Sequence, residues 1–171
     1  MSRSLYVLRH AKAEEAMEGR GDRARPLKRR GIRAARLIGR TLTRLAEAPE
    51  LVLTSDALRA RETAEVARDA GGWSAPLELC PAIYEAGASA LLAQVQGVQA
   101  DVARVLLVGH QPGLSQLIAE LTGGEPDFPT AALARLDFEL ERWSELTPRS
   151  GRLAWLVTPE MIETLRPKGA G

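Results

Sequence analysis

The chain has 171 residues, long enough for one domain with a substantial core, and its 23 basic and 22 acidic residues leave a formal net charge of +1. That near balance argues against a general polyanion binder, and aromatic residues at 4% are too few for a platform of stacked nucleic-acid bases. A single cysteine, Cys80, excludes an internal disulfide, and with no metal motif around it a small buried thiol is the expectation. No apolar leader and no run of about 18 apolar residues occurs, so a soluble, cytoplasmic protein is expected.

In chain order, Leu5–His10 reads as a buried strand that ends on Arg9 and His10. A polar loop, Ala13–Arg25, leads to a helix from about Leu27 to Leu45, with Ala35, Ile38, Leu42 and Leu45 at helical spacing and Pro26 in its first turn. The arginines of this segment, Arg29, Arg30, Arg33, Arg36 and Arg40, read as a solvated helix face. Leu51–Leu53 is a short buried strand. Ser55 and Asp56 are N-cap types for a helix through Ala70, stopped by Gly71 and Gly72. "PLELCP" predicts a short edge strand closed by Pro81, followed by a helix over about Ser89–Gln99. Val105–Val108 is continuously apolar, as a central parallel strand should be, and Leu114, Leu117, Ile118 and Leu121 then keep the i, i+3, i+4, i+7 spacing of a helix ended by Gly123 and Gly124. From Ala132 to Leu140 apolar and polar residues alternate, which predicts a half-exposed antiparallel strand. "RLAWLVTPE" is a last strand, with a frayed tail from Arg166. The expectation is one domain over 1–171: a three-layer α/β/α sandwich with a mostly parallel sheet and an antiparallel C-terminal strand.

The two histidines of the chain fall at corresponding places. His10 ends the first strand, and His110 follows the strand Val105–Val108 after Gly109. If those strands are neighbours, both rings face one cavity at the carboxyl edge of the sheet, where open α/β folds bind ligands. Arg59, near the start of its helix, reaches the same edge with Arg9. Two guanidiniums, two imidazoles and a helix N-terminus make a pocket suited to a tetrahedral dianion such as phosphate. No acidic cluster accompanies them, and two histidines are too few for a zinc site.

"LRHA", "SDALRARET" and "VGHQPGL", in this order and spacing, resemble the histidine phosphatase superfamily, which includes the phosphoglycerate mutases. The similarity is greatest to its small SixA-type phosphohistidine phosphatases. "RARPLKRRG", Arg23–Gly31, resembles the "RPLTxxG" segment of that branch, and the resemblance covers Leu5 to about Leu121. It implies a metal-independent phosphatase without cofactor, with His10 as nucleophile, its other ring nitrogen held by a backbone carbonyl. Arg9, Arg59 and His110 would hold the phosphoryl oxygens. Ala11 stands where many members have Gly, which favours the SixA-type branch over a mutase.

Mutase-like members also carry an acid that protonates an alkoxide. Glu85 of "IYEAG" is the candidate here and Glu14 a weaker one, the alternative being an exposed loop carboxylate. Arg25, before Pro26, is a candidate fifth member that would close over the pocket, or else a solubilising surface arginine. Ser55 is accounted for as an N-cap, and Gln111 and Pro112 as shaping the turn after His110. The expected substrate is phosphohistidine on a protein. A sugar-phosphate phosphatase or mutase, and a module that binds phosphoproteins without turnover, are the alternatives. Nothing in the sequence demands more than a monomer, and neither nucleic acid nor membrane is expected as a partner.

Overall fold

The computed structural model describes residues 1–166. Among the described residues, six strands join one sheet in the order β3-β2-β4-β1-β5-β6. They are β1 (Ser2–Arg9), β2 (Leu51–Thr54), β3 (Leu77–Leu79), β4 (Arg104–Gly109), β5 (Leu133–Glu139) and β6 (Gly151–Val157). The helices are α1 (Arg29–Arg44), α2 (Leu58–Gly71), α3 (Ala88–Gln96), α4 (Gly113–Thr122) and α5 (Pro159–Leu165). β1, β2, β3 and β4 run parallel, while β5 pairs antiparallel with both β1 and β6.

The period-2 alternation of strand side chains divides the core into layers. Leu5, Val7, Val105 and Leu107 point to one face and pack with Leu91, Val95, Leu114, Leu117 and Ile118 of α3 and α4. Tyr6, Leu8, Leu106 and Val108 point to the other and meet Ile38 and Leu42 of α1 and Ala60, Ala64 and Ala67 of α2. Two close approaches set helix positions. A Cβ on Gly39 would lie 2.0 Å from the Ala67 carbonyl oxygen, so α1 and α2 touch backbone to backbone. One on Gly113 would lie 1.9 Å from the Ala86 carbonyl oxygen, so the turn after β4 seats directly on the loop after β3.

β1 and β4 are neighbours, with Arg9 paired to Gly109. From β1 the chain leaves toward β2, through α1 on one face. From β4 it leaves toward β5, through α4 on the other. This is the switch point of the sheet, where the two departing connections leave a crevice beyond the strand ends.

Several local expectations change. α1 begins at Arg29, so Pro26 lies outside it, and Leu27 instead forms an isolated antiparallel bridge with Ala13. α2 begins at Leu58 with Ala57 at its N-cap and no side-chain cap, so Ser55 is free for another role. Cys80 is half-buried rather than buried: it packs against the α3/α4 core at the end of an edge strand, and desolvation pushes its thiol up. The last strand stops at Val157, and α5 follows; its start is legible in "TPEM", because Thr158 accepts a hydrogen bond from the Met161 N–H and Pro159 occupies the first turn. Of the expected frayed tail, residues 167–171 lie outside the described residues. No described helix is long and apolar enough to cross a membrane.

Candidate active site

The crevice is a cavity of about 340 Å³ whose walls include Arg9, His10, Lys12, Arg25, Arg59 and His110. The sheet itself aligns the two histidines: the His10 N–H donates to the Gly109 carbonyl at 3.0 Å, and the ring centroids lie 5.3 Å apart. His10 Nδ1 lies 2.8 Å from the Ala11 carbonyl oxygen. A carbonyl only accepts, so Nδ1 carries the proton and the Nε2 lone pair is left available. Ala11 is in turn fixed, since its N–H donates to Thr63 Oγ at 3.0 Å and its methyl is packed among Leu27, Ala35 and Ala131.

His110 is buried, with Nε2 2.8 Å from Ser55 Oγ. Ser55 Oγ already accepts from the Ala57 N–H at 3.2 Å. Its own proton finds an acceptor, among the described residues, only at His110 Nε2, which puts the His110 proton on Nδ1. Burial, followed by the nearby arginine charge, lowers the His110 pKa from 6.5 to about 3. For His10 burial is again the largest cause, and the value falls to about 4 despite the Ala11 carbonyl. Both rings are neutral at pH 7.

Arg59, the second residue of α2, is 5% exposed, and both ends of its fork are bound to Asp22. Nη1 donates to the Asp22 carbonyl and Nη2 to Asp22 Oδ2, both at 2.9 Å. Asp22 also accepts from Tyr84 Oη at 2.7 Å and from Arg25 Nη1 at 2.9 Å, and these three donors hold its carboxyl well below the usual range. The loop Ala13–Arg25 is thereby tied to α2 and to the loop after β3, and Arg23 stacks on the Tyr84 ring at 4.3 Å. Arg25 is locked against this wall by Asp22 and the Glu14 carbonyl.

Of the expected carboxylates, exposed Glu85 lines the cavity; Glu14 does not, and Glu15 lines it instead. Gln111 turns its side chain to Ser115 at the start of α4. Asp22, Tyr84, Ser55 and Thr63 escaped prediction in these roles. The spacing of Ser55 and Thr63 in "TSDALRARET" placed them near Arg59, but Asp22 and Tyr84 sit in loops whose sequences carry no periodic signal. Among the described residues no group of three or more His, Cys, Asp or Glu side chains is arranged to hold a metal ion.

Arg9 Nε, Arg59 Nε and His110 Nδ1 are buried donors with no partner among the described residues. All three belong to residues that line the cavity, and since an unpaired buried donor costs about 1–3 kcal/mol, a ligand rich in acceptors is what this wall suits. Three such donors beside a free imidazole nitrogen define the class: an α/β protein whose sheet edge receives a tetrahedral oxyanion.

The chain belongs to the histidine phosphatase superfamily (branch 1), whose family model matches residues 5–91. It is 32% identical over 159 residues to the phosphohistidine phosphatase SixA of Escherichia coli K12, covering 91% of this chain and 93% of that protein. It also resembles the solved structure of a protein histidine phosphatase SixA complexed with tungstate, with a TM-score of 0.79 and 28% identity over 91% of this chain and 97% of that one. A mycobacterial glucosyl-3-phosphoglycerate phosphatase shares the fold at 17% identity, with a TM-score of 0.62 over 90% of this chain and 98% of that one.

The burial of His110 and the partial burial of His10 have a consequence for stability. In the unfolded chain both titrate near 6.5, and in the folded chain only near 4 and 3. Between pH 6.5 and about 4 the unfolded state therefore binds more protons, and stability falls as pH is lowered through that window. Unfolding near pH 5 should take up close to two protons, and His10→Ala should remove about one of them. Calorimetric melts in buffers of different ionisation enthalpy measure this; a proton uptake near zero contradicts the neutral rings.

Proposed function

We propose that this protein is a metal-independent phosphatase that removes phosphoryl groups from phosphohistidine on proteins through a covalent phospho-His10 intermediate. The single observation that carries the reading is His10, with Nδ1 held by the Ala11 carbonyl and Nε2 free among unpaired cationic and imidazole donors. The tungstate bound by a similar SixA is a tetrahedral oxyanion of the kind such donors would hold.

In this mechanism the Nε2 lone pair of neutral His10 attacks phosphorus, and the bond from phosphorus to the substrate imidazole breaks in line. Arg9, Arg59 and His110 Nδ1–H donate to the equatorial oxygens, where charge accumulates. The leaving imidazole departs neutral when its other nitrogen is protonated, so a strong acid is not required. Asp22 stays ionised and serves as the fixed counter-charge that orients Arg59 and Arg25 rather than as a proton donor. Water then attacks phospho-His10, the N–P bond breaks, and inorganic phosphate leaves His10 neutral again.

Glu85, exposed on the cavity wall with Glu15, would contact a larger substrate or assist an alkoxide in this scheme. A sugar-phosphate reading needs that assistance, and the phosphohistidine reading does not. A cytoplasmic monomer acting on a phosphorylated protein completes the proposal. The test is phosphate release in EDTA from a phosphohistidine carrier protein, an aryl phosphate and a sugar phosphate in parallel. Fastest release from phosphohistidine supports the reading, faster release from the sugar phosphate moves the substrate, and none from any of them overturns the enzyme.

Ser55 is a positioning residue in this scheme. Ser55→Ala removes the donor that holds the proton of His110 on Nδ1 and should lower kcat about tenfold with little change in KM. Imidazole ¹⁵N shifts should report a mixed His110 tautomer. An unchanged tautomer would contradict the role even if activity fell.

A further inference from the structure

The outer face of α1 carries Arg29, Arg33, Arg36, Arg40 and Arg44 at i, i+4, i+7, i+11 and i+15, with Arg30 beside them, and every one is exposed. That spacing puts the five on one side, opposite the buried Gly31, Ala35, Ile38 and Leu42. The helix has no acidic residue, so in a chain of net charge +1 the remainder is net negative and the positive charge is concentrated here. None of the six makes an ion pair or side-chain hydrogen bond among the described residues. Of the nearby carboxylates, Glu65 is committed to Arg61, Asp69 to Arg68, Glu62 to the Leu27 N–H and Glu47 to Arg135, while Glu160 and Glu163 of α5 flank only Arg30, at the edge of the stripe.

Apart from Arg44, which complements the dipole in the last turn, the stripe does little for the helix that bears it. Like charges at i, i+4 repel, and arginines in the first turn oppose the helix dipole. It also starts beside the cavity. The Lys28 N–H donates to the Lys12 carbonyl at 2.9 Å, just before α1, and Lys12 lines the cavity. A second depression shares Lys12 and Thr130 with it and extends to Arg30 and Ala34.

We infer that the arginine face of α1 is the docking surface for an acidic protein segment, which it holds while the phosphorylated side chain enters the cavity. Five charges spread over roughly 22 Å of helix exceed the reach of any small anion, so the partner is a chain carrying several carboxylates. Leu37, a large apolar side chain among the arginines, is half-buried and offers little to insert into lipid, and no aromatic is there to stack on a base. This inference rests on the phosphohistidine reading for what enters the cavity, but its binding half stands by itself.

The test uses two synthetic phosphohistidine peptides of equal length, one flanked by Asp and Glu and one by Lys, with phosphoramidate as a small substrate. The wild-type chain should prefer the acidic peptide through KM, and added salt should erase the preference. R33Q/R36Q/R40Q should lower kcat/KM on the acidic peptide about tenfold, all of it in KM, and leave phosphoramidate turnover and thermal stability unchanged. Equal use of both peptides by wild type, or an equal loss on phosphoramidate, overturns the inference. So does tighter binding to phosphatidylglycerol vesicles or duplex DNA than to the acidic peptide at about 150 mM salt. If wild type releases no phosphate from any phosphohistidine, the enzyme reading fails. Binding of the unphosphorylated acidic peptide to wild type and to the triple variant then decides the docking surface separately.

Discussion

His10→Ala should reduce phosphate release by about 10⁴-fold or more while leaving the fold intact. Among the described residues, the ring is the one group lining the cavity that combines a free nitrogen lone pair with a fixed tautomer beside arginines. His110 is no substitute, because its Nε2 is occupied by the Ser55 hydroxyl and its Nδ1 carries the proton. His10 lies on the wall of an open cavity, so truncation encloses no void, and the melting temperature at pH 7 should hold. The same variant should be relatively more stable toward pH 5, because a partly desolvated base that resists protonation has been removed. Rapid acid-free quenching of wild type with a ³²P-labelled phosphohistidine substrate should leave label on the chain as an acid-labile, alkali-stable adduct. His10→Ala should carry none. Labelling that persists in the variant would place the nucleophile elsewhere and sink the covalent scheme.

Arg59→Ala should lower kcat about 10³-fold, with a smaller effect on KM. Arg59 performs two tasks with one planar group: its two Nη atoms bind Asp22, and its Nε remains as a buried donor on the cavity. A lysine carries the charge but lacks the fork, so Arg59→Lys should recover little. Asp22 would still be held by Arg25 and Tyr84, and the loop Ala13–Arg25 should stay in place. Asp22→Asn should therefore cost less than Arg59→Ala, since it loosens the orientation of Arg59 without deleting a donor to phosphate. Equal losses in the two variants would show that Arg59 matters only as the anchor of the loop. Single-turnover rates separate the two cases from effects on substrate binding.

The layers of the fold were legible because they follow from local periodicity. Val105–Val108 has no polar face, so it had to be central; the alternation from Ala132 to Leu140 had to be a strand with one dry side. Gly72 and Gly123, both at positive φ, end their helices where the sequence placed the stops. His10 and His110 could be paired in thought because a parallel strand of known length delivers its last residue to a known edge. Ser55 was misassigned for a related reason. An N-cap preference describes what a serine does for its own helix, whereas Ser55, besides accepting from the Ala57 N–H, has its second partner 55 positions away. α5 was missed because the strand pattern ran past Val157, although Thr158 and Pro159 announce a helix start.

By itself, then, the sequence determined the alternation of strand and helix, the burial of the sheet, and the delivery of two arginines and two histidines to one edge. Those are consequences of spacing and side-chain size, which act within a few residues. Only the tertiary structure decided that Asp22 and Tyr84 clamp Arg59, that Thr63 fixes the carbonyl that fixes His10, and that Ser55 sets the proton on His110. These are hydrogen bonds between loops and elements remote in the chain. Their geometry exists only once the sheet has brought β1 and β4 together and burial has made every unpaired donor costly.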